Sequence, residues 1–387
     1  MLTESEAPPA LAPDARGMGT IRPFAASDAD AVANLLVRAF QNSSRPAPTG
    51  MAAYLRHVYL DAPWVDPLFW SRVLESVDGR IVGFLGVTAL PMAMASRRIN
   101  AAVISSLAVD PVEGGAMTAA RLLRDVRSGP QDAIVSDRCN AAAVAALRAL
   151  GGEVIRAYSF DWLRTLRPLG FGLDALARRM PPLRLLAPLV SPFDNAALGR
   201  SLRTDGARWV TPSRARAAEA FTDRPAGLDE MTALLPELVA DFALRPDWTP
   251  ASLRALLGDA SQKADLGDFA ARLVLDTAQR PVGAFMLHLR KGRTAQVLQL
   301  LSRKGREGIV LDRAIASATA AGAVAIRGRS TPRFTEALME RRALFVPEQA
   351  TVVLTRDAEI LAHFRDGTAF FTGLAGEEWM RLNGDRF

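Results

Sequence analysis

The strongest constraint on the fold of this 387-residue chain is that one order of predicted elements occurs twice. The hydrophobic pattern of residues 20–165 predicts, in this order, a strand, a helix, a hairpin, a strand, a glycine bend with a helix, a short strand, a helix and a closing strand. From the first helix onward, residues 226–355 repeat that order. The repeat is one of pattern and not of identity, and it predicts two similar halves that arose by duplication.

Composition sets wide limits. The 47 Lys and Arg residues exceed the 41 Asp and Glu residues, which gives a net charge of +6, yet the only lysines are Lys263, Lys291 and Lys304. An arginine-rich, lysine-poor chain is typical of a GC-rich bacterial genome, and an anionic partner stays open as the alternative. The single cysteine, Cys139, excludes an internal disulfide and suits a reducing cytoplasm. The sequence contains no run of 18 apolar residues, so no membrane-spanning helix is predicted.

The domain organisation predicted from these patterns has four parts. Residues 1–17 are acidic and proline-rich without a basic start, which is typical of a disordered leader and not of a signal peptide. Residues 18–165 form the first half and residues 206–387 the second half. Residues 166–205 form a connector rich in Pro, Arg and Leu. The connector either packs as a linker or makes a weak contact with an anionic membrane surface.

The segment "LAVDPVEGGAMTAARLL" carries the chemistry of the first half. A strand ends at Val109, a bend of small residues follows, and a helix begins. The first turn of a helix has free N–H groups and the positive end of its dipole, which together bind phosphate. Gly114, Gly115, Ala116 and Ala119 let a phosphate approach the backbone. The alternative is a tight turn between strand and helix that binds nothing.

This segment and the order of elements resemble the GNAT N-acetyltransferase family. The resemblance implies an α/β (α+β) chain with two tandem GNAT-like domains, each a mixed, largely antiparallel sheet flanked by helices. It also implies an acyl-CoA donor, acetyl-CoA or another acyl-CoA, whose pantetheine enters a V-shaped slot where the fourth and fifth strands separate. The residues that it assigns to the donor are Leu107, Val109, Gly114, Gly115, Ala116, Met117, Thr118, Ala119 and Asn140.

The motif departs from the family in two places. The basic or Gln residue of the family's bend is replaced by Gly114, and its first glycine by Met117. In the second half the corresponding bend is "RKGREGIV", where Gly305 and Gly308 keep the backbone small and three cations flank them. The first half has the smaller bend and also Asn140, which can either cap a helix or contact the pantetheine. The donor is therefore expected in the first half, with the second half or the cleft between the halves shaping the acceptor site.

Catalytic residues are not identified by the sequence. The family's tyrosine acid aligns with Leu147, and the strand "INAAVISSLAV" contains no carboxylate to act as a base. Asp132 and Asp137 are the nearest acids, and both are interpreted as residues that cap or turn the chain. His288 is interpreted as structural, with a role as base left as the alternative. No spacing of ligands indicates a metal.

Several phrases resemble a narrower group within the family, among them "RPFAASDADAVANL", "APWVDP", "GRIVGFLGV" and "DGTAFFTGLAGEEWM". They resemble two-domain GNAT-like proteins of proteobacteria whose substrate is unclear. Members of that group often accompany polysaccharide or secondary-metabolite pathways, and the resemblance implies no particular substrate.

Three functions follow as hypotheses. The first is a cytoplasmic acyl-CoA-dependent acyltransferase, of the N-acetyltransferase type, acting on a small-molecule, saccharide or metabolite acceptor. The second is a non-catalytic ligand-binding protein of the same fold, because the usual acid and base positions are empty. The third is a transferase that takes its donor from aminoacyl-tRNA, for which the arginine excess would bind phosphate. The sequence gives no oligomeric state.

Overall fold

The computed structural model describes residues 19–112, 116–177, 179–180, 182, 190, 192–194, 220–383 and 387. The leader predicted over residues 1–17 and most of the connector beyond residue 177 lie outside the described residues. So do Gly114 and Gly115 of the predicted phosphate bend.

Elements of the first half follow the hydrophobic pattern closely. Helix α1, for example, begins after Asp28 and buries Val32, Leu35 and Leu36 at helical spacing. The elements are β1 Thr20–Pro23, α1 Ala29–Gln41, α2 Met51–Arg56 with a π-helical turn at His57–Asp61, β2 Arg72–Glu75, β3 Ile81–Met94, β4 Arg97–Val109, α3 Ala116–Arg127, β5 Ala133–Cys139, α4 Ala141–Ala149, β6 Glu153–Val154 and β7 Asp161–Thr165.

The connector begins as a helix and the second half then repeats the first. Helix α5 buries Asp174, which pairs with Arg293 of the second half at 2.9 Å. The elements are α5 Pro168–Ala177, β8 Thr222–Pro225, α6 Leu228–Val239, β9 Leu244–Pro246, α7 Pro250–Ser261, β10 Asp268–Leu275, β11 Pro281–Leu289, β12 Thr294–Ser302, α8 Glu307–Ala320, β13 Ala325–Arg329, α9 Pro332–Glu340, β14 Leu344–Val346, β15 Ala350–Thr355 and α10 Ala358–Arg365.

Two mixed sheets with flanking helices result, so the predicted fold class is confirmed. The first sheet has the order β1-β2-β3-β4-β5-β15-β6, with β9 paired on β3, and the second has the order β14-β7-β13-β12-β11-β10-β8. All described pairs are antiparallel except β4 with β5 and β12 with β13, which are parallel.

The closing strands are exchanged between the halves. The sequence predicts that β7 closes the first half and β15 the second, but β7 pairs with β13 and β14 of the second sheet, whereas β15 lies between β5 and β6 of the first. Both predicted strands are present, but the predicted pairing partners of β7 and β15 were wrong. Alternating hydrophobicity specifies a strand and its buried face, but it does not specify which strand lies beside it.

Polar contacts hold the exchanged strands at their crossing. The Thr351 hydroxyl at the start of β15 donates to the carbonyl oxygen of Tyr158 at 2.8 Å, and the Thr351 N–H donates to Ser159 Oγ at 2.9 Å. Arg329 of β13 donates to Thr351 Oγ1 at 3.2 Å and pairs with Asp161 of β7 at 3.1 Å. Thr351 is fully buried, so each exchanged strand is fixed by groups from both halves.

One apolar core continues from the first half into the second. It joins Leu35 and Val58 of the first half to Leu235 and Leu257 of the second, and Trp379 near the end of the chain packs into it. Strand β9 of the second half also extends the first sheet through Met92. Among the described residues, no helix is both long and apolar enough to span a bilayer.

The strand exchange predicts that neither half folds without the other. A fragment of residues 1–205 lacks β15, which leaves unpaired edges on β5 and β6 and leaves β7 without a sheet. We expect this fragment to show no cooperative thermal transition by near-ultraviolet circular dichroism. Mixing it with a fragment of residues 206–387 should restore a transition, and a cooperative transition of the first fragment alone would contradict the exchange.

Candidate functional site

The fourth and fifth strands of the first half separate and leave a cavity. Strands β4 and β5 pair only from Ala101 with Ala133 to Val103 with Val135, although both strands continue beyond these residues. The cavity between their diverging ends has a volume of about 320 Å³. It is named the first slot here, and its lining includes Leu36, Phe40, Leu85, Ile104, Ser105, Ser106, Leu107, Leu123, Ser136, Cys139, Asn140, Ala143, Leu147 and Glu377.

A β-bulge shapes the β4 wall of the first slot. Phe84 of β3 pairs with Ala108 and Gly86 pairs with Ser105, so Ser106 and Leu107 together face one residue of the neighbouring strand. Ser106 has a φ angle of 54°, a left-handed conformation that a residue with a side chain rarely adopts. The bulge releases this stretch of backbone from the regular ladder at the point where the slot opens.

A tyrosine lies beneath the bulge. The Tyr59 hydroxyl is 3.0 Å from Ser105 Oγ and donates to Ser106 Oγ at 3.2 Å. A side chain at Gly86 would collide with this hydroxyl, since a Cβ there would lie 2.4 Å from it. Burial raises the pKa of Tyr59 to about 12, so the phenol keeps its proton at neutral pH. Ser105 and Ser106 also line the slot, so hydrogen bonds link the Tyr59 hydroxyl to it.

Residues 372–383, named the crossing segment here, bring a carboxyl group into the first slot from the far end of the chain. Glu377 Oε1 accepts from Ser136 Oγ at 2.6 Å and from the Asp137 N–H at 3.2 Å. In return, the Glu377 N–H donates to Asp137 Oδ1 at 3.0 Å. A Cβ at position 376 would lie 2.1 Å from Asp137 Oδ2, so Gly376 permits this close approach.

The two carboxyl groups share a dry environment. Asp137 is fully buried and Glu377 is 5% exposed. Burial, and after it the charge of the neighbouring Asp137, raise the pKa of Glu377 to about 8. Burial also raises the pKa of Asp137 to about 6, against the opposing effect of Arg329. The pair titrates near neutral pH and can therefore take up or release a proton there.

The second half fixes the crossing segment in place. The Lys263 ammonium, which is 1% exposed, donates to the carbonyl oxygen of Glu378 at 2.6 Å. Arg138 of β5 pairs with the Glu378 carboxylate. The Leu374 N–H donates to the side chain of Gln299 on β12 at 3.0 Å. Glu377 is thus positioned in the first slot by groups from both sheets.

The residues predicted to bind the donor lie around the slot and the helix beyond it. Leu107 and Asn140 line the slot, and Val109 ends β4. Ala116, Met117, Thr118 and Ala119 form the first turn of α3, with Met117 56% exposed. Gly114 and Gly115 lie outside the described residues. The assignment of a donor to these residues stays a prediction.

Asn140 caps helix α4, as one of its two predicted roles requires. Its Oδ1 accepts from the Ala143 N–H at 2.9 Å. Leu147 lies on the same helix, buried against the slot, at the position where the family carries an acid. An aliphatic side chain has no proton to give, so this helix supplies none from that position.

Asp132 and His288 have structural partners. The Asp132 carboxylate accepts from the Asn100 N–H at 2.8 Å and joins β4 to the start of β5. His288 is 1% exposed, and its Nε2 donates to the carbonyl oxygen of Ala260 at 2.8 Å. Asp137 caps the N–H of Glu377, but it is also half of the buried carboxyl pair, which sequence reasoning did not foresee.

The equivalent slot of the second half, between β12 and β13, has a different character. It encloses about 280 Å³ and is lined by Arg138, Asp161, Lys263, His288, Arg327, Arg329, Glu348 and Glu378, among others. Arg327 pairs with both Asp161 and Glu348. Charged groups, several of them paired, line this second slot. Apolar and hydroxyl side chains make up most of the lining of the first slot, to which Arg138 and Glu377 also contribute.

Glu377 and Tyr59 were missed by sequence reasoning. Glu377 lies in "GLAGEEWM", more than 200 residues from β5, and Tyr59 lies in a helical turn with no motif around it. This segment is part of "DGTAFFTGLAGEEWM", which resembles the narrower group of two-domain GNAT-like proteins. Its glycine directly before two acids was the available signal, since a glycine there allows close contact with another element.

Comparison with known proteins supports the fold. No protein-family model and no curated protein matches the sequence. A GCN5-related N-acetyltransferase from Anabaena variabilis has a TM-score of 0.58 at 12% identity, covering 87% of this chain and 73% of its own. A conserved Enterococcus faecalis protein of unknown function, described as a probable N-acyltransferase, has a TM-score of 0.55 at 10% identity, covering 86% and 71%.

A third similar structure is Saccharomyces cerevisiae N-myristoyltransferase with bound myristoyl-CoA, with a TM-score of 0.52 at 11% identity, covering 90% of this chain and 85% of its own. Identities this low show a shared fold and not a shared substrate. The chain therefore has the GNAT fold that the sequence predicted.

The buried carboxyl pair predicts how Glu377→Gln changes stability. The raised pKa means that the folded state binds the proton more tightly than the unfolded state does. The resulting stabilisation is complete below the unfolded pKa of about 4.5 and is lost as the pH rises through about 8. Glutamine does not titrate. We therefore expect the melting temperature of Glu377→Gln to rise relative to that of the wild type as the pH increases from about 5 to about 9.

Differential scanning fluorimetry across that pH range measures the effect. Glu359→Gln removes a carboxylate of α10 that is 65% exposed, and it controls for the loss of one charge. A difference between Glu377→Gln and the wild type that does not change with pH would contradict the buried, proton-holding pair.

Proposed function

We propose that the protein is an acyl-CoA-dependent acyltransferase of the N-acetyltransferase type, with its donor in the first slot. The observation that carries the proposal is the position of Glu377, a buried carboxyl with a raised pKa, on the wall of a slot that leads towards a helix N-terminus. The fold and the structural neighbours support this proposal. We also infer that the chain is one of the tandem N-acyltransferase-like proteins of this fold.

The first slot suits the donor chemically. Pantetheine is a long, uncharged chain with two amides, and apolar side chains with hydroxyl and amide groups can surround it. The pyrophosphate would lie at the start of α3, where free N–H groups and the helix dipole favour an anion. The first turn of α3 begins at Ala116, seven residues after β4 ends at Val109. The ion pairs in the second slot oppose entry of the same donor there.

The reaction follows from the groups on the slot walls. A neutral amine attacks the thioester carbon, a C–N bond forms and the C–S bond breaks. The Glu377 carboxylate accepts the proton that the amine releases. The Tyr59 hydroxyl, through Ser105 or Ser106, provides a proton for the departing thiolate. Backbone released by the bulge at Ser106 can align the thioester, and alignment alone lowers the barrier by several kcal/mol.

The acceptor is proposed to enter from the cleft between the halves, as a small molecule, a saccharide or another metabolite. The tRNA alternative rests on the arginine excess of the sequence, and many of the described arginines are paired with carboxylates, which leaves them less able to bind phosphate. A non-catalytic binding protein is disfavoured by Glu377, which can act as the proton acceptor that strand β4 does not contain. Membrane contact by the connector and a cytoplasmic location remain proposals.

Donor binding is tested by calorimetric titration of acetyl-CoA and coenzyme A. We expect saturable binding of both by the wild type. Gly115→Arg adds a long side chain to the sequence just before α3 and should abolish that binding while the melting temperature is kept. Unchanged binding by Gly115→Arg would show that the donor lies elsewhere.

The role of Glu377 is tested by the pH dependence of acyl transfer. Because the base must be ionised, we expect kcat/KM to rise with pH through about 8. Glu377→Gln should lower the rate by about 100-fold and remove this rise, with coenzyme A affinity unchanged. Release of the coenzyme A thiol reports the rate. An unaltered profile in the variant would exclude Glu377 as the base.

A further inference from the structure

A second cavity adjoins the first slot on the other side of the crossing segment. It has a volume of about 330 Å³, close to the lower end of the size range of small-molecule sites, about 300–1,000 Å³. Its wall combines residues 374–379 of the crossing segment, the segment after α2, strands β3 and β4, and the start of α7. The cavity therefore lies between the two halves, and both halves contribute residues to it.

Three of the six tryptophans of the chain line this tryptophan cavity: Trp64, Trp248 and Trp379. Trp64 and Trp379 are 6% and 3% exposed, and their ring centroids are 4.5 Å apart in a T-shaped arrangement. Packing holds both rings in place, so they form a rigid aromatic wall. Aromatic walls of this kind favour a flat ring system that can stack or meet them edge to face.

The indole N–H of Trp248 is a hydrogen-bond donor without an acceptor. The nitrogen is buried and has no hydrogen-bond partner among the described residues. The Trp248 ring is held at its edge by Phe370, with ring centroids 5.9 Å apart. A buried donor without a partner is costly, and a ligand that supplies an electron-rich ring face or an oxygen would relieve that cost.

Charges around the cavity favour a cationic ligand over an anionic one. Asp66 and Asp247 contribute two carboxylates to its lining and Arg98 contributes one guanidinium. Asp247 and Arg98 are exposed at the surface, and Asp66 is half-buried. The excess of negative charge attracts an ammonium group during approach and repels a carboxylate or a phosphate. A cation is also attracted to the faces of the tryptophan rings.

The tryptophan cavity and the first slot share walls. Gly376 lines the cavity and the next residue, Glu377, lines the slot. In β4, Val103 lines the cavity and the next residue, Ile104, lines the slot. A molecule in the cavity is thus separated from the proposed base by one turn of the crossing segment and by one strand.

We propose that the tryptophan cavity is the acceptor site and that it takes an arylalkylamine, a flat aromatic ring with a short chain ending in a primary amine. The ring packs among the tryptophans and the amine points to the turn that carries Glu377. This inference rests on the proposed function for the reaction, but the binding itself does not depend on it. Polyamines and amino sugars lack the ring and should bind more weakly.

Isothermal titration with tryptamine and phenethylamine, in the absence of any acyl-CoA, tests the binding. We expect both amines to bind at least about tenfold more tightly than putrescine or glucosamine, because only the aryl amines gain the aromatic contacts. Trp248→Leu should weaken tryptamine binding by about tenfold. Trp70→Leu is the matched control, since Trp70 contacts Arg72 on another surface, and it should leave binding unchanged.

The outcomes separate this inference from the proposed function. If coenzyme A binds but the aryl amines bind no better than putrescine, the acceptor class is overturned and the donor site stands. If tryptamine binds and Trp248→Leu weakens it, but no thiol is released from acetyl-CoA, the ligand site stands and the acyltransferase proposal fails. If Trp248→Leu and the wild type bind tryptamine equally, the proposal that the amine binds in the tryptophan cavity is overturned.

Discussion

The exchange of β7 and β15 between the two sheets joins the two halves of the molecule. Each sheet obtains an interior strand from the other half, and Thr351 joins the two exchanges through hydrogen bonds to Tyr158, Ser159 and Arg329. Since a strand between two neighbours satisfies its backbone groups on both sides, the exchange makes the halves one folding unit. It also returns the chain to the first half, so that the crossing segment reaches the first slot.

Burying two carboxyl groups at that crossing opposes stability. A carboxylate loses hydration in the interior, and here each of the pair also repels the other. The reciprocal hydrogen bonds between Asp137 and Glu377 offset part of this penalty. Glu377 lines the cavity and Asp137 lies buried behind it, while Lys263 and Arg138 hold the neighbouring residue Glu378. Titratable pairs of this kind are typical of functional sites.

The fold was largely predictable from the sequence, and the site only in part. Periodicity predicted α1 because Val32, Leu35 and Leu36 lie on one buried face, and the glycine bend indicated where α3 begins. The partners of β7 and β15 were not predictable, since their patterns fit either sheet. Glu377 and Tyr59 meet the slot only after the chain has folded, so a search for acids near β4 could not find them. Met117, which the resemblance assigned to the glycine bend, lies instead in the first turn of α3.

We propose that the donor binds in the first half and that the charged slot of the second half does not bind it. A crystal structure of the protein soaked with coenzyme A distinguishes the two slots. We expect pantetheine between β4 and β5, with its thiol near Glu377 and its pyrophosphate at the first turn of α3. Coenzyme A found between β12 and β13, with the first slot empty, would contradict it.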